Sequence, residues 1–194
     1  MSRITFEDYL EDIREVTKEI IAECGTTPIV IGFSMGGILC QKLAETTDFA
    51  GLVLIDSSIC KEVHDKAPYK ELDELKPQLI VPAPDREESS IDESEEDIAF
   101  QMKYLSMESA KAFHTFAFHY GVKTGVSVDN NLVACPCLVI KAVMSEEDNF
   151  RGRIAAEYFQ AEYAGLWNTS HTGLLVGQRY QEVVDLMLEW LKKF

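Results

Sequence analysis

No stretch of this 194-residue chain reaches 18 uninterrupted apolar residues, and the opening Met1-Ser2-Arg3-Ile4-Thr5-Phe6-Glu7 has no apolar h-region. The first absence argues against a membrane span, and the second against a secretory leader. Positive charge is scarce: 18 Lys and Arg stand against 33 Asp and Glu, a formal net charge of −15. Such a surface repels phosphate backbones and anionic lipids, so neither nucleic acid nor a membrane surface is expected as a partner. Cysteine is sparse, odd in number and scattered (Cys24, Cys40, Cys60, Cys135, Cys137), which suits reduced thiols and predicts a cytoplasmic location. Cys135-Pro136-Cys137 resembles half a metal site, but no second Cys or His pair has matching spacing. The pair therefore reads as the start of a buried strand, and no metal or cofactor is expected. Internal repeats are also lacking. The 46% hydrophobic content is that of a globular protein, and the length suits one domain over residues 1–194 carrying at most an insertion.

The most specific segment is Thr27-Pro-Ile-Val-Ile-Gly-Phe-Ser-Met-Gly-Gly-Ile-Leu-Cys-Gln-Lys-Leu-Ala-Glu45. An apolar run (Ile29 to Ile31) meets Gly32-Phe33-Ser34-Met35-Gly36, and an amphipathic helical pattern follows from Met35 to about Thr46. G-x-S-x-G at a strand-to-helix turn is the context in which the motif forms a nucleophile elbow. The serine sits on a tight, strained turn, and the flanking glycines let strand and helix approach. Met35 opens the helix, so its N–H can face a developing oxyanion, with Phe33 beside it.

Around this segment, apolar strands alternate with helices. Phe6, Leu10, Ile13, Val16, Ile20 and Ile21 predict a helix from Phe6 to Cys24, with Thr5 as N-cap and Gly25 as C-cap. Gly51 to Asp56 and Leu138 to Val143 read as fully buried strands, and Glu162 to Trp167 as a weaker one. Helices are expected at Arg151 to Gln160 and Gln178 to Lys192. The pattern predicts an α/β fold, with a parallel sheet of about four strands and flanking helices. Residues 61–131 break the rhythm. Asp85 to Asp97 holds eight acids and one arginine and is expected as a solvated run stiffened at its start by Val81-Pro82-Ala83-Pro84. Helical patterns at Glu95 to Leu105 and Met107 to Tyr120 follow, the second rich in aromatics. An insertion there is expected above the carboxyl ends of the strands as a lid, with Phe113 and Phe116 shaping an apolar pocket.

A serine hydroxyl needs an imidazole to take its proton, and the imidazole needs a carboxylate to fix its tautomer. His64, His114 and His119 lie in the insertion, whereas His171 sits in the polar stretch Asn168-Thr169-Ser170-His171-Thr172-Gly173. His114 and His119, five apart on one helical pattern, have poor spacing for a metal pair. With the elbow and this histidine loop in the order Ser34, carboxylate, His171, the chain resembles the α/β-hydrolase superfamily along essentially its whole length. The resemblance implies a catalytic Ser34 and a catalytic His171, and hydrolysis of a small ester-like substrate through an acyl-enzyme, as in esterases and thioesterases. It also places the acid a few residues past the Leu138 to Val143 strand, in Met144-Ser145-Glu146-Glu147-Asp148. Asp148 fits best and Glu147 second; Asp56, at the end of the preceding strand, is a third position used by some members.

In that superfamily several strands precede the helix over Phe6 to Cys24, and a loop after one of them supplies a second oxyanion donor. No such strand pattern precedes Phe6 and no His-Gly-Gly loop occurs in the sequence, so the sheet is expected to be a truncated version of the family's. The apolar strand at 28–33 is thus expected at an open edge, which predicts a two-fold homodimer pairing through it. A backbone N–H near Gly25-Thr26-Thr27 of the partner is then placed to replace the lost donor. A weakly catalytic or inactive binding and oligomerisation module is the alternative.

Overall fold

The computed structural model describes residues 3–70, 80–81 and 91–194. Thr5 opens α1 (Phe6–Cys24) with a reciprocal cap: its hydroxyl accepts from the Asp8 N–H while its own N–H donates to the Asp8 carboxylate. Gly25, at φ 67°, ends the helix. β1 (Ile29–Phe33), α2 (Met35–Leu43), β2 (Gly51–Ile55) and α3 (Lys61–Lys66) follow. Next come β3 (Ile80–Val81), α4 (Glu95–Tyr104), β4 (Glu108–Ser109) and α5 (Ala110–Phe116). β5 (Cys137–Val143), α6 (Glu146–Tyr158), β6 (Glu162–Trp167), α7 (Gly173–Val176) and α8 (Tyr180–Leu191) complete the order.

β1, β2, β5 and β6 form one parallel sheet in that order, with α2 and α6 as the crossovers that parallel neighbours require. All of β2 is buried, because both faces of the sheet are covered. Leu52 and Leu54 pack with Ile38, Leu43 and Ala155 on one face; Val53 and Ile55 pack with Ile140, Val183 and Trp190 on the other. The same alternation puts Lys141 on the α6 side of β5, beyond Cys137 and Val139. Among the described strands β1 is at the edge, and Ile31 is 51% exposed there. No helix among the described residues is long and apolar enough to cross a membrane.

The stretch between β2 and β5 departs from the sequence expectation. No single helix runs from Met107 to Tyr120. Glu108–Ser109 instead pairs antiparallel with Ile80–Val81, α5 covers only Ala110–Phe116, and a 3-10 turn at Phe118–Tyr120 ends at Gly121 with φ 82°. Phe116 is buried against Phe6 of α1, and Phe118 stacks on His64 at 3.9 Å. These rings fasten the segment to the core. α6 starts at Glu146, earlier than the expected Arg151, because Ser145 Oγ accepts from the Asp148 N–H and caps it. Residues 82–90, which include the Pro82-Ala83-Pro84 lead-in and the first half of the acidic run, lie outside the described residues.

Candidate active site

Ser34 sits between β1 and α2 at φ 53° and ψ −120°, a conformation that non-glycine residues adopt only when the surroundings enforce it. Here the enforcement is visible. Ser34 N–H donates to Ile55 O (3.2 Å), and Ser34 O accepts from the N–H groups of Gly37 and Ser58 (3.0 Å each). A Cβ at Gly32 would fall 2.6 Å from Gly36 O, and one at Gly37 would fall 2.1 Å from Ser57 Oγ, so strand, helix and β2 loop meet where only glycine fits. Gly36 itself has open space around it. α2 begins directly at Met35, and its first-turn N–H groups have no partner within the helix.

His171 lies in the loop between β6 and α7, with its side chain 44% exposed. Its Nδ1 is 2.5 Å from Oδ2 of Asp56, which follows β2 at φ 38°. The carboxylate set against the imidazole is therefore that of Asp56, in place of the expected Asp148. Asp148 is engaged at the start of α6, accepting from Ser145 Oγ (2.8 Å) and pairing with Arg151 (3.3 Å). Glu147 is exposed and pairs with Lys70 at 3.1 Å. Ser34 and Asp56 are neighbours because β2 lies directly beside β1, and the loop after β6 carries His171 past the end of β5 to reach Asp56.

The second oxygen of Asp56 is held by Lys141 Nζ. Burial pushes the Asp56 carboxyl upward, but the His171 hydrogen bond and the Lys141 charge outweigh it and hold the group below its ordinary value. Burial likewise opposes the Lys141 ammonium, and Asp56 more than compensates, raising that group above its ordinary value. Both charges are thus kept in the interior by one another.

Ser34, Asp56, Ser57, Ser58, Tyr69, His119, Tyr120, Lys141 and His171 line an open cavity of about 330 Å³. Among the described residues no hydrogen bond joins Ser34 Oγ to His171; the two side chains face the same space. Phe33 stacks under the His171 ring (centroids 4.4 Å apart, 23° between planes) and does not line the cavity. Neither expected pocket aromatic lines it. Phe116 is core, and Phe113 packs behind Tyr120 (5.0 Å). The aromatic wall is Tyr69, His119 and Tyr120; of these the sequence drew attention only to His119, and only as a poorly spaced metal pair with His114. Tyr69 is seated by Arg151, whose guanidinium lies 3.8 Å from the ring centroid and whose nitrogens donate to Ala67 O and Pro68 O. Burial, together with the nearby His171 and Lys141, pushes the His119 pKa down to about 4, so the ring is neutral near pH 7. The one legible signal for Lys141 was a charge inside an otherwise apolar strand. Among the described residues no group of three or more His, Cys, Asp or Glu side chains is arranged to hold a metal.

A model of the alpha/beta hydrolase family matches residues 2–186. The chain belongs to the alpha/beta hydrolase family. Solved structures agree with this at the level of the fold. Tomato methylketone synthase I, solved with 2-tridecanone, aligns with a TM-score of 0.64 at 14% identity over 98% of this chain and 80% of that one. The monoacylglycerol lipase of Paleococcus ferrophilus aligns with a TM-score of 0.60 at 15% identity, over 97% and 75%. A lipase candidate from Sulfolobus solfataricus gives 0.63 at 15% identity, and there this alpha/beta hydrolase spans 65% of its relative's length. No curated protein matches the sequence.

Proposed function

We propose that this alpha/beta hydrolase is a serine hydrolase that cleaves small esters or related carbonyl substrates through an acyl-enzyme. The observation that carries the reading is the Asp56–His171 contact in the same cavity as a strained Ser34 at the start of α2. Asp56 accepts the Nδ1 proton of His171, which leaves Nε2 as the base. Substrate entering the cavity brings the half-exposed ring and Ser34 Oγ into line, since catalytic hydrogen bonds tighten in the bound complex. Oγ attacks the carbonyl carbon as Nε2 takes its proton, and the Met35 N–H faces the oxyanion. Collapse expels the alcohol with the proton from His171. Water then repeats the sequence and frees the acid. The walls at Tyr69, His119 and Tyr120 act as the lid side of the pocket, and their polar atoms favour a substrate with polar groups near the scissile bond.

A fluorophosphonate probe tests the reading. Wild type is expected to label, and Ser34→Ala to lose labelling completely while melting as wild type does. Equal labelling of both proteins, or none of either at high probe concentration, overturns it.

A second reading, a binding or oligomerisation module with little turnover, draws on a separate observation: β1 is an apolar edge among the described strands, with Ile31 open to solvent. Antiparallel pairing of two such edges gives a two-fold dimer, with Gly25 to Thr27 of each chain near the other's Ser34. Light scattering is expected to show twice the 21.9 kDa chain mass. A monodisperse monomer that hydrolyses esters would remove both the dimer and its share in catalysis.

A further inference from the structure

Asp92 and Glu93 belong to the acidic run, where a solvated surface was expected, yet they are only 4% and 3% exposed. In a chain of net charge −15, burying two adjacent carboxylates is costly unless their oxygens are met by donors. The histidine loop supplies donors to both. Both oxygens of Asp92 accept from the Ser170 N–H (3.1 and 3.0 Å), and its main-chain oxygen accepts from the Gln178 N–H (2.8 Å). Glu93 Oε2 accepts from Ser170 Oγ (2.8 Å), while Oε1 accepts from Thr172 Oγ1 (2.6 Å) and from Gln101 Nε2 of α4 (2.5 Å). Ser170 Oγ in turn accepts from the Gly173 N–H at 3.1 Å. The fit is close: a Cβ on Gly173 would lie 2.0 Å from Asp92 Oδ2.

The two residues gripped by Glu93, Ser170 and Thr172, flank His171 on either side. His171 itself is not fixed by burial; its ring has the Asp56 contact and the Phe33 stack, with 44% of the side chain open. A ring with so few contacts keeps its bearing only if its backbone is held, and displacement of a reacting group by about 1 Å can cost on the order of 10²-fold in rate. We infer that Asp92 and Glu93 are positioning residues for His171: a carboxylate clamp, contributed by the segment between β2 and β5, holds the histidine loop so that the imidazole stays on Asp56 and faces the cavity it shares with Ser34. The segment over the cavity thus acts on the base through the loop as well as forming the wall. The inference rests on the serine-hydrolase reading.

The test uses the full chain with 4-nitrophenyl acetate. Glu93→Gln replaces one acceptor oxygen by a donor, and Thr172→Val removes the hydroxyl that the clamp grips. Each is expected to lower kcat at least tenfold, with KM within twofold and the folded fraction at the assay temperature unchanged. The double variant is expected to lose little more than the worse single one, since both remove the same contact. If Glu93→Gln does not fold, Thr172→Val and Ser170→Ala carry the same readout from the loop side. A kcat within twofold of wild type, a rate loss equal to the loss of folded protein, or a rise in KM alone overturns the clamp. Wild type without Ser34-dependent turnover overturns the serine-hydrolase reading and the clamp with it. Wild type that turns over beside unaffected variants overturns the clamp alone.

Discussion

Asp56→Asn is expected to lower turnover about 10⁴-fold, the size of loss that follows when the triad carboxylate becomes an amide and the histidine is left in the wrong tautomer. Asn keeps the shape of the side chain but cannot both accept the Nδ1 proton and carry the charge that steadies the imidazolium. The control is Asp148→Asn, at the carboxylate that the family pattern favours. Asp148 sits in the first turn of α6, bonded to Ser145 and Arg151, so the change removes part of a cap. It should cost about 1 kcal/mol of stability and leave kcat within a few-fold. Steady-state kinetics of the two variants under identical conditions decides between the positions. Full activity in Asp56→Asn with loss in Asp148→Asn would return the triad to the family's commoner arrangement.

Lys141→Met should destabilise the protein by about 3–5 kcal/mol, because it leaves a buried carboxylate without its cation. The side chains of Lys141 and Asp56 are 14% and 7% exposed, too little for water to take over. For a chain of this length the loss corresponds to a fall in Tm on the order of 10 °C. The double variant Lys141→Met/Asp56→Asn should recover most of that stability and none of the activity, since it removes both charges together with the proposed triad acid. The pH dependence has a fixed sign. Asp56 is held below its ordinary 3.8, so its contribution is complete above that value and is lost as pH falls through the folded value. Lys141 is held above its ordinary 10.5, so its contribution is complete below that value and is lost as pH rises through the folded value. Denaturant titrations should therefore show a constant gap between wild type and Lys141→Met across neutral pH, narrowing at both extremes. A Lys141→Met protein as stable as wild type would mean that Asp56 is satisfied without the lysine.

Several features were legible without coordinates because short-range sterics and patterning decide them. Thr5 and Gly25 bracket α1 at the expected residues, since a reciprocal cap and a left-handed glycine depend only on local chain. Gly32-Phe33-Ser34-Met35-Gly36 forms the strained turn for the same reason, although the tight contacts fall at Gly32 and Gly37. β2 and β5 are uniformly apolar because a parallel sheet covered on both sides leaves no polar face. The interrupted pattern after Leu105 was harder to read. Glu108–Ser109 is drawn into a ribbon by Ile80–Val81, a partner far away in sequence, and tertiary pairing overrides the helical spacing there.

The sequence by itself determined the parallel α/β fold, the serine turn and the histidine loop, because each is a local conformation or a periodicity carried by neighbouring residues. Only the tertiary structure decided which groups meet. Asp56 and Asp148 both follow apolar strands; the path of the loop after β6 carries His171 across β5 to Asp56, two strands away in the order β1-β2-β5-β6, while Asp148 stays with Ser145 at the start of α6. The aromatic residues of the insertion read alike as pocket or core until Phe116 is found against Phe6 and Tyr69 and Tyr120 at the cavity. Asp92 and Glu93 looked like a solvated acidic run, and their role depends on a loop 78 residues away. Charge pattern describes what a segment would do in water, whereas burial against a distant set of donors is a property of the whole chain path.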